Sequence, residues 1–261
     1  MMRDYEKLVL WLKDRTGIDL ANYKSGQMHR RLTSLMESKG ISNFQEYIKL
    51  LEADSDAFDE FFKRLTINVS DFFRNPERFE DLKRSILPRL LAERKHLKVW
   101  SAGCANGAEP YSLAMLLYEL DPASFTQHEI IATDIDLTIL AQARRGIYSE
   151  SEMKGVSPQR RRVYFKLVGD RWQVRSFLRQ QVKFFRHNLL LDPFPQGCDL
   201  ILCRNVVIYF TNEAKTKLYP KLRASLRPGG VLMVGGTEPI LRYQDFGFQQ
   251  LGTGFYRRDG E

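Results

Sequence analysis

Lys98-Val99-Trp100-Ser101-Ala102-Gly103-Cys104-Ala105-Asn106-Gly107-Ala108-Glu109-Pro110 is the stretch that decides the fold. Val99 and Trp100 give it the start of a buried strand. A glycine-bearing turn follows, and residues 109–120 continue as a helix. Strand, glycine-rich turn and helix is the layout of a nucleotide-binding βα unit. Glycine lets the backbone turn sharply and come close to a ligand, which makes Gly103 a candidate contact. The match to G-x-G-x-x-G is imperfect, because Ala105 stands where the middle glycine falls. By itself the loop does not choose a ligand.

Two acidic positions narrow the choice. Glu109 opens the helix, where a dinucleotide would place its pyrophosphate, and a carboxylate there repels phosphate. It suits a cofactor with a sulfonium cation and no phosphate, namely S-adenosylmethionine. The alternative is that Glu109 only complements the helix dipole. Asp134 follows the second strand, where a carboxylate accepts hydrogen bonds from ribose hydroxyls. Asp136 competes for that role. Further on, 199–203 reads as a strand and runs into Arg204-Asn205-Val206-Val207-Ile208-Tyr209-Phe210. Open α/β sheets bind ligands at the carboxyl ends of their strands, so Arg204, Asn205 and Tyr209 can reach cofactor or substrate. A plain strand-end loop with Tyr209 and Phe210 in the core is the alternative, and for Phe210 it is preferred. His187-Asn188-Leu189 can offer contacts to an adenine edge. None of the four histidines has metal-ligand spacing, so no metal is assigned.

Away from this stretch the pattern changes. From Leu97 on, short β-rich runs at 97–102, 129–133, 182–186, 199–203 and 230–235 alternate with helical ones, which predicts βαβ units and a mostly parallel sheet. Runs at 246–251 and 255–258 predict a terminal antiparallel hairpin. Before Leu97 the spacing is helical. Tyr5, Leu8, Val9 and Leu12 form one stripe, and Met28, Leu32, Leu35 and Met36 a second. Phe44, Tyr47, Ile48 and Leu51 follow a capping box read at Ser42-Asn43-Phe44-Gln45. Phe58, Phe61, Phe62 and Leu65 make a fourth stripe. Asn75 caps a longer helix with Pro76 at its first position. The reading is α/β: a Rossmann-like sheet domain over 76–261, preceded by a small all-helical domain over 1–75.

Composition sets outer bounds. The chain has 261 residues, 43% of them hydrophobic, and a net charge of +8. No apolar run reaches the roughly 18 residues that a membrane helix needs. Three cysteines, an odd number without zinc spacing, imply a reduced cytoplasmic setting. The positive balance favours an acidic partner. RNA would satisfy the charge, but the aromatic–basic interleaving of RNA-binding sheets is missing, so no nucleic acid is expected.

Several motifs then coincide in order along most of the chain. They are Thr66-Ile67-Asn68-Val69-Ser70-Asp71-Phe72-Phe73-Arg74, the stretch from Val99 to Ser112, Ala132-Thr133-Asp134-Ile135-Asp136, Arg145-Gly146-Ile147-Tyr148, and Cys203-Arg204-Asn205-Val206-Val207-Ile208-Tyr209-Phe210. With these the chain resembles the chemotaxis receptor methyltransferases, the CheR family, which methylate glutamate side chains of bacterial chemoreceptors. The resemblance implies S-adenosylmethionine bound between a helical domain and a Rossmann-like domain, with S-adenosylhomocysteine as product. It implies cofactor contacts at Asn68, Ser70, Arg74, Glu109, Asp134, Asn188, Leu189, Arg204 and Asn205. Ser70 stands where the family pattern has Thr, and keeps the hydroxyl. Arg74 and Tyr209 match positions that orient substrate near the methyl group.

The resemblance also frames expectations about partners. Family members carry a small β-subdomain that grips a receptor pentapeptide. The matching stretch near 164–176 is short here, with a Gly169-Asp170 turn, so a pentapeptide-independent version is expected. Nothing suggests an obligate dimer, and a monomer is expected. Lys24, Arg30 and Arg31 form a cationic face suited to the glutamate-rich receptor methylation helices. A methyltransferase of another substrate class, or a non-catalytic S-adenosylmethionine-binding signalling module, are the alternatives.

Overall fold

The computed structural model describes residues 2–66 and 70–260. The chain divides into two compact units, Met1–Asn68 with Tyr209–Lys217, and Val69–Ile208 with Leu218–Glu261.

The first unit holds helices α1 (Met2–Thr16), α2 (Ser25–Glu37), α3 (Phe44–Ala53) and α4 (Ser55–Thr66). Each buries one stripe. Leu8, Leu12, Leu32, Tyr47 and Phe61 lose nearly all exposure, and Tyr47 meets Phe61 edge-on at 5.7 Å. Isolated short helices are marginal in water, so this shared apolar face is what holds them. Asn43, rather than Ser42, caps α3, accepting from the Glu46 amide at 2.9 Å. Phe44 is the first helical residue, so the Asn43 oxygen is the one in reach of an orphan amide. Gln45 turns instead to Asp4, at 2.8 Å. Residues 209–217 join this unit through backbone bonds. The Lys24 amide donates to the Tyr209 carbonyl, and the Thr211 amide to the Asn22 carbonyl, each at 2.9 Å. Tyr23 and Phe210 form an antiparallel bridge.

The second unit begins with α5 (Pro76–Asp81), a π turn (Leu82–Ile86) and α6 (Leu87–Glu93). Pro88, which has no amide to continue the ladder, follows the π turn. Then come β1 (Lys98–Ala102), α7 (Ala108–Leu120), β2 (Glu129–Asp134), α8 (Leu137–Arg145), β3 (Ile147–Tyr148), α9 (Pro158–Tyr164), β4 (Phe165–Val168), β5 (Arg171–Val174) and α10 (Ser176–Gln181). The chain continues as β6 (Val182–Arg186), β7 (Cys198–Cys203), α11 (Asn212–Ser225), β8 (Leu226–Val234), β9 (Phe248–Gly252) and β10 (Phe255–Arg258).

Seven strands form one sheet in the order β6-β2-β1-β7-β8-β10-β9. The first five are parallel, and β10 and β9 run antiparallel. Strand order reverses beside β1, with β2 on one side and β7 on the other, so the crevice at their carboxyl ends is the place for a ligand. Helix α7 is buried all round from Ala108 to Leu117; its sequence there is apolar except for Glu109 and Ser112, whose side chains are hydrogen-bonded. A second antiparallel sheet, β3-β5-β4, uses Gly169 at φ +63° in the two-residue turn between β4 and β5. The turn at Gly169-Asp170 was legible from the sequence; the added strand β3 was not.

Candidate cofactor and active site

The glycine loop leaves β1 through three left-handed residues: Gly103 at φ +82°, Ala105 at +46° and Gly107 at +87°. A Cβ on Gly103 would lie 2.4 Å from Val206 Cγ2, and one on Gly107 2.9 Å from Ala143 Cβ. Close packing against the protein therefore already demands both glycines. The loop amides are also engaged. Gly103 and Cys104 donate to the Thr133 carbonyl at 2.8 and 2.9 Å, and Gly107 to the Cys104 carbonyl at 3.0 Å. Ala105 donates to Asp134 Oδ2 at 2.9 Å, and Ala108 to Asn106 Oδ1 at 3.1 Å. Asn106, which the sequence reading passed over, ties the loop further. Its Nδ2 donates to the Ser70 carbonyl and to Glu152 Oε1, both at 3.3 Å. Its carbonyl accepts the Tyr148 hydroxyl at 2.8 Å.

Among the acids, the structure separates the two rivals. Asp136 Oδ1 caps α8, accepting from Thr138 at 2.8 Å and Ile139 at 3.1 Å. Asp134 ends β2 in the crevice. Burial pushes its carboxyl up to about 6, against the pull of the Asp136 and Ala105 amides bonded to it. Glu109 is not a lone anion. Its Oε1 accepts the Ser101 hydroxyl at 2.8 Å, and its Oε2 accepts Arg204 Nη1 at 3.2 Å. The repulsion argument drawn from Glu109 in the sequence is thus weakened, because Arg204 neutralises it.

Arg204 is a buried junction. Besides Glu109, its Nη2 donates to the Arg74 carbonyl at 2.7 Å and to Asn75 Oδ1 at 2.9 Å, and its guanidinium lies 5.2 Å from the Phe79 ring centre. Asn75 accordingly does not cap α5 with its side chain, and sits left-handed at φ +61°. The expected side-chain cap fails because its oxygen is bound to Arg204. Asn205 is also left-handed, at φ +59°, and its amide donates to Glu238 Oε2 at 2.5 Å. Glu238 went unnoticed in the sequence, although a charged residue just after the apolar run 230–235 was a visible signal. On the β6 side, the His187 amide donates to the Asp134 carbonyl at 2.9 Å. The Asn188 side chain accepts the Leu190 amide at 2.9 Å, and Leu189 is buried. The His187 ring meets Trp100 and Phe194 edge-on, and burial pushes its pKa down.

Gly103, Glu109, Asp134, Asn188, Leu189, Arg204 and Asn205 thus lie at neighbouring strand ends, with Ser70 and Arg74 tied in through their carbonyls. Asn68 lies outside the described residues. Tyr209, Lys24, Arg30 and Arg31 belong to the helical unit. Lys24 and Arg30 are exposed, and Lys24 is the residue just before α2. Arg31 is partly used internally: it donates to the Leu65 carbonyl at 3.1 Å and lies 6.0 Å from the Tyr209 ring centre.

S-adenosylmethionine fits this donor set. A phosphate cradle needs backbone amides aimed at the ligand, and five amides of this loop already serve protein acceptors. The carboxylate of Asp134 suits the ribose hydroxyls of a phosphate-free adenosine instead.

Comparison with known proteins agrees. Residues 68–255 match the family described as CheR methyltransferase, SAM binding domain, and residues 3–66 match CheR methyltransferase, all-alpha domain. A chemotaxis protein methyltransferase of Listeria monocytogenes is 44% identical over 98% of this chain and 99% of its own length. One of Borreliella burgdorferi is 34% identical over 91% of this chain and 88% of its own. Chemotaxis protein methyltransferase 1 of Pseudomonas aeruginosa is 34% identical over 93% and 92%. The chain belongs to the CheR methyltransferase family, and it is an S-adenosylmethionine-dependent methyltransferase.

Proposed function

We propose that this enzyme methylates glutamate side chains on the cytoplasmic helices of bacterial chemoreceptors, leaving methyl esters. The observation that carries the reading is the match to chemotaxis methyltransferases through both the helical and the cofactor domain. S-adenosylmethionine, when bound, supplies an electrophilic methyl group on sulfonium. The protein's own task is positioning. An unperturbed glutamate titrates near ~4.3, so the nucleophile is ionised without a general base. Alignment of two reactants can supply roughly 7–11 kcal/mol of barrier lowering.

In this reading Asp134, Glu109, Asn188, Leu189, Asn205 and Asn68 hold the cofactor, with Ser70, Gly103 and Arg204 shaping its site. Arg74 orients the substrate carboxylate, and Tyr209 fixes the geometry at the methyl group. Lys24, Arg30 and Arg31 draw in acidic receptor helices. The enzyme acts as a cytoplasmic monomer, and its small sheet, with a two-residue turn between β4 and β5, works without a receptor pentapeptide. A tritiated-methyl assay with receptor, RNA and no-substrate lanes tests the function. Base-labile label on receptor is expected; label on RNA, or none at all, refutes it. Micromolar binding of the pentapeptide would refute the last point alone.

A further inference from the structure

Glu238 is a buried carboxylate, 4% exposed, and no cation among the described residues pairs with it in a salt bridge. Its negative charge is met by backbone amides alone. Oε2 accepts from Asn205 at 2.5 Å and from Gly235 at 2.9 Å, and Oε1 accepts from Ile208 at 3.1 Å. The nearby Val207 amide also favours the ionised carboxylate. These amides come from two places: the turn that follows β7 and the end of β8. The carboxylate therefore gathers N–H groups from both segments, as a bound anion would. Gly235 is needed beside it, since a Cβ there would lie 2.2 Å from Oε2.

The turn it holds touches the cofactor site twice. Asn205 begins the turn in the left-handed region at φ +59°, a conformation that Asn tolerates better than most residues and that its amide bond to Glu238 holds in place. The next residue, Val206, is the wall against which Gly103 packs. We propose that Glu238 is a positioning residue for S-adenosylmethionine. Its carboxylate fixes the turn 205–208, and through that turn it sets both the Asn205 contact and the seat of Gly103. The Asn205 part rests on the cofactor assignment made above; the Val206–Gly103 part does not.

Calorimetric titration with S-adenosylmethionine tests this without any receptor. Glu238→Ala leaves several amides unanswered and is expected to weaken cofactor binding by about tenfold or more. Glu238→Gln keeps one acceptor oxygen and is expected to lose less. Receptor affinity measured without cofactor should stay within about twofold in both, a split that general loosening of the fold would not give. Cofactor affinity like the wild type in either folded variant, or equal losses for cofactor and receptor, overturns the proposal. Asn205→Ala separates the two routes: normal cofactor binding by that variant, with loss in Glu238→Ala, removes the Asn205 assignment and leaves Glu238 acting through Gly103. Should the variants not fold, amide exchange in the wild type decides. Slow exchange at Asn205, Val207 and Ile208 is expected, and fast exchange at Asn205 and Ile208 overturns the idea.

Discussion

Arg204 and Glu109 form a buried ion pair at 3.2 Å, joining the strand end after β7 to the first turn of α7. The side chains are 1% and 10% exposed. Removing one partner of such a pair strands the other charge, at roughly 3–5 kcal/mol. Arg204→Ala should therefore lower unfolding stability by about that amount in a urea titration. Adding Glu109→Gln should recover part of the loss, because the stranded carboxylate is gone. Purely additive losses in the double variant would show the pair to be uncoupled.

Asp134 gives a pH signature. Its folded carboxyl titrates at about 6, above an unfolded value of roughly 3.9. The sign for stability follows: its contribution is full below the unfolded value and is lost as pH rises through 6. Under the proposed ribose contact cofactor binding runs the opposite way, because hydroxyls would donate to the ionised carboxylate. S-adenosylmethionine affinity should fall about tenfold between pH 7.5 and pH 5. Asp134→Asn should bind weakly and flatten that profile in the same titration.

Gly103→Ala forces a methyl group into Val206 at a left-handed position. A cost of about 1–3 kcal/mol in stability is expected, with weakened cofactor binding. Thermal melts with and without S-adenosylmethionine measure both, and an unchanged melt would contradict the close packing.

Charge reversal at Lys24 and Arg30 should raise the receptor KM and reduce its salt dependence, leaving kcat intact. Arg31 is a poorer probe, because it also bonds the Leu65 carbonyl. Its replacement should lower stability as well, so a double reversal that spares Arg31 is the informative variant. A receptor KM that does not move rules out steering by this face.

Much of this was legible in the sequence because periodicity and turn chemistry are local. The strand β6 spans the β-rich run at 182–186, and the turn at Gly169-Asp170 joins two strands as expected. The four helical stripes lie on the buried faces, with Tyr5, Val9, Ile48, Phe58 and Phe62 only half-buried. What stayed hidden depends on contacts between distant segments. Asn75 looks like a cap until Arg204, far along the chain, takes its oxygen. Glu109 looks like a free anion until the same guanidinium answers it. Residues 209–217 look like a continuation of the sheet domain, yet their backbone bonds go to Asn22 and Lys24. Glu238 carries no motif of its own; the Asn205, Gly235 and Ile208 amides that bind it come together only in the fold.

Five amides of the glycine loop are bonded within the protein, and this bears on which adenosine-bearing ligands the loop can take. Nucleotides that share the adenosine of S-adenosylmethionine are mostly phosphorylated, and they compete for any site that recognises adenosine alone. Here Gly103, Cys104, Ala105, Gly107 and Ala108 have no vacant N–H to offer a phosphate. A phosphorylated competitor would have to break bonds inside the protein before it could be solvated there. Those five internal bonds therefore weigh against a phosphorylated competitor at this loop.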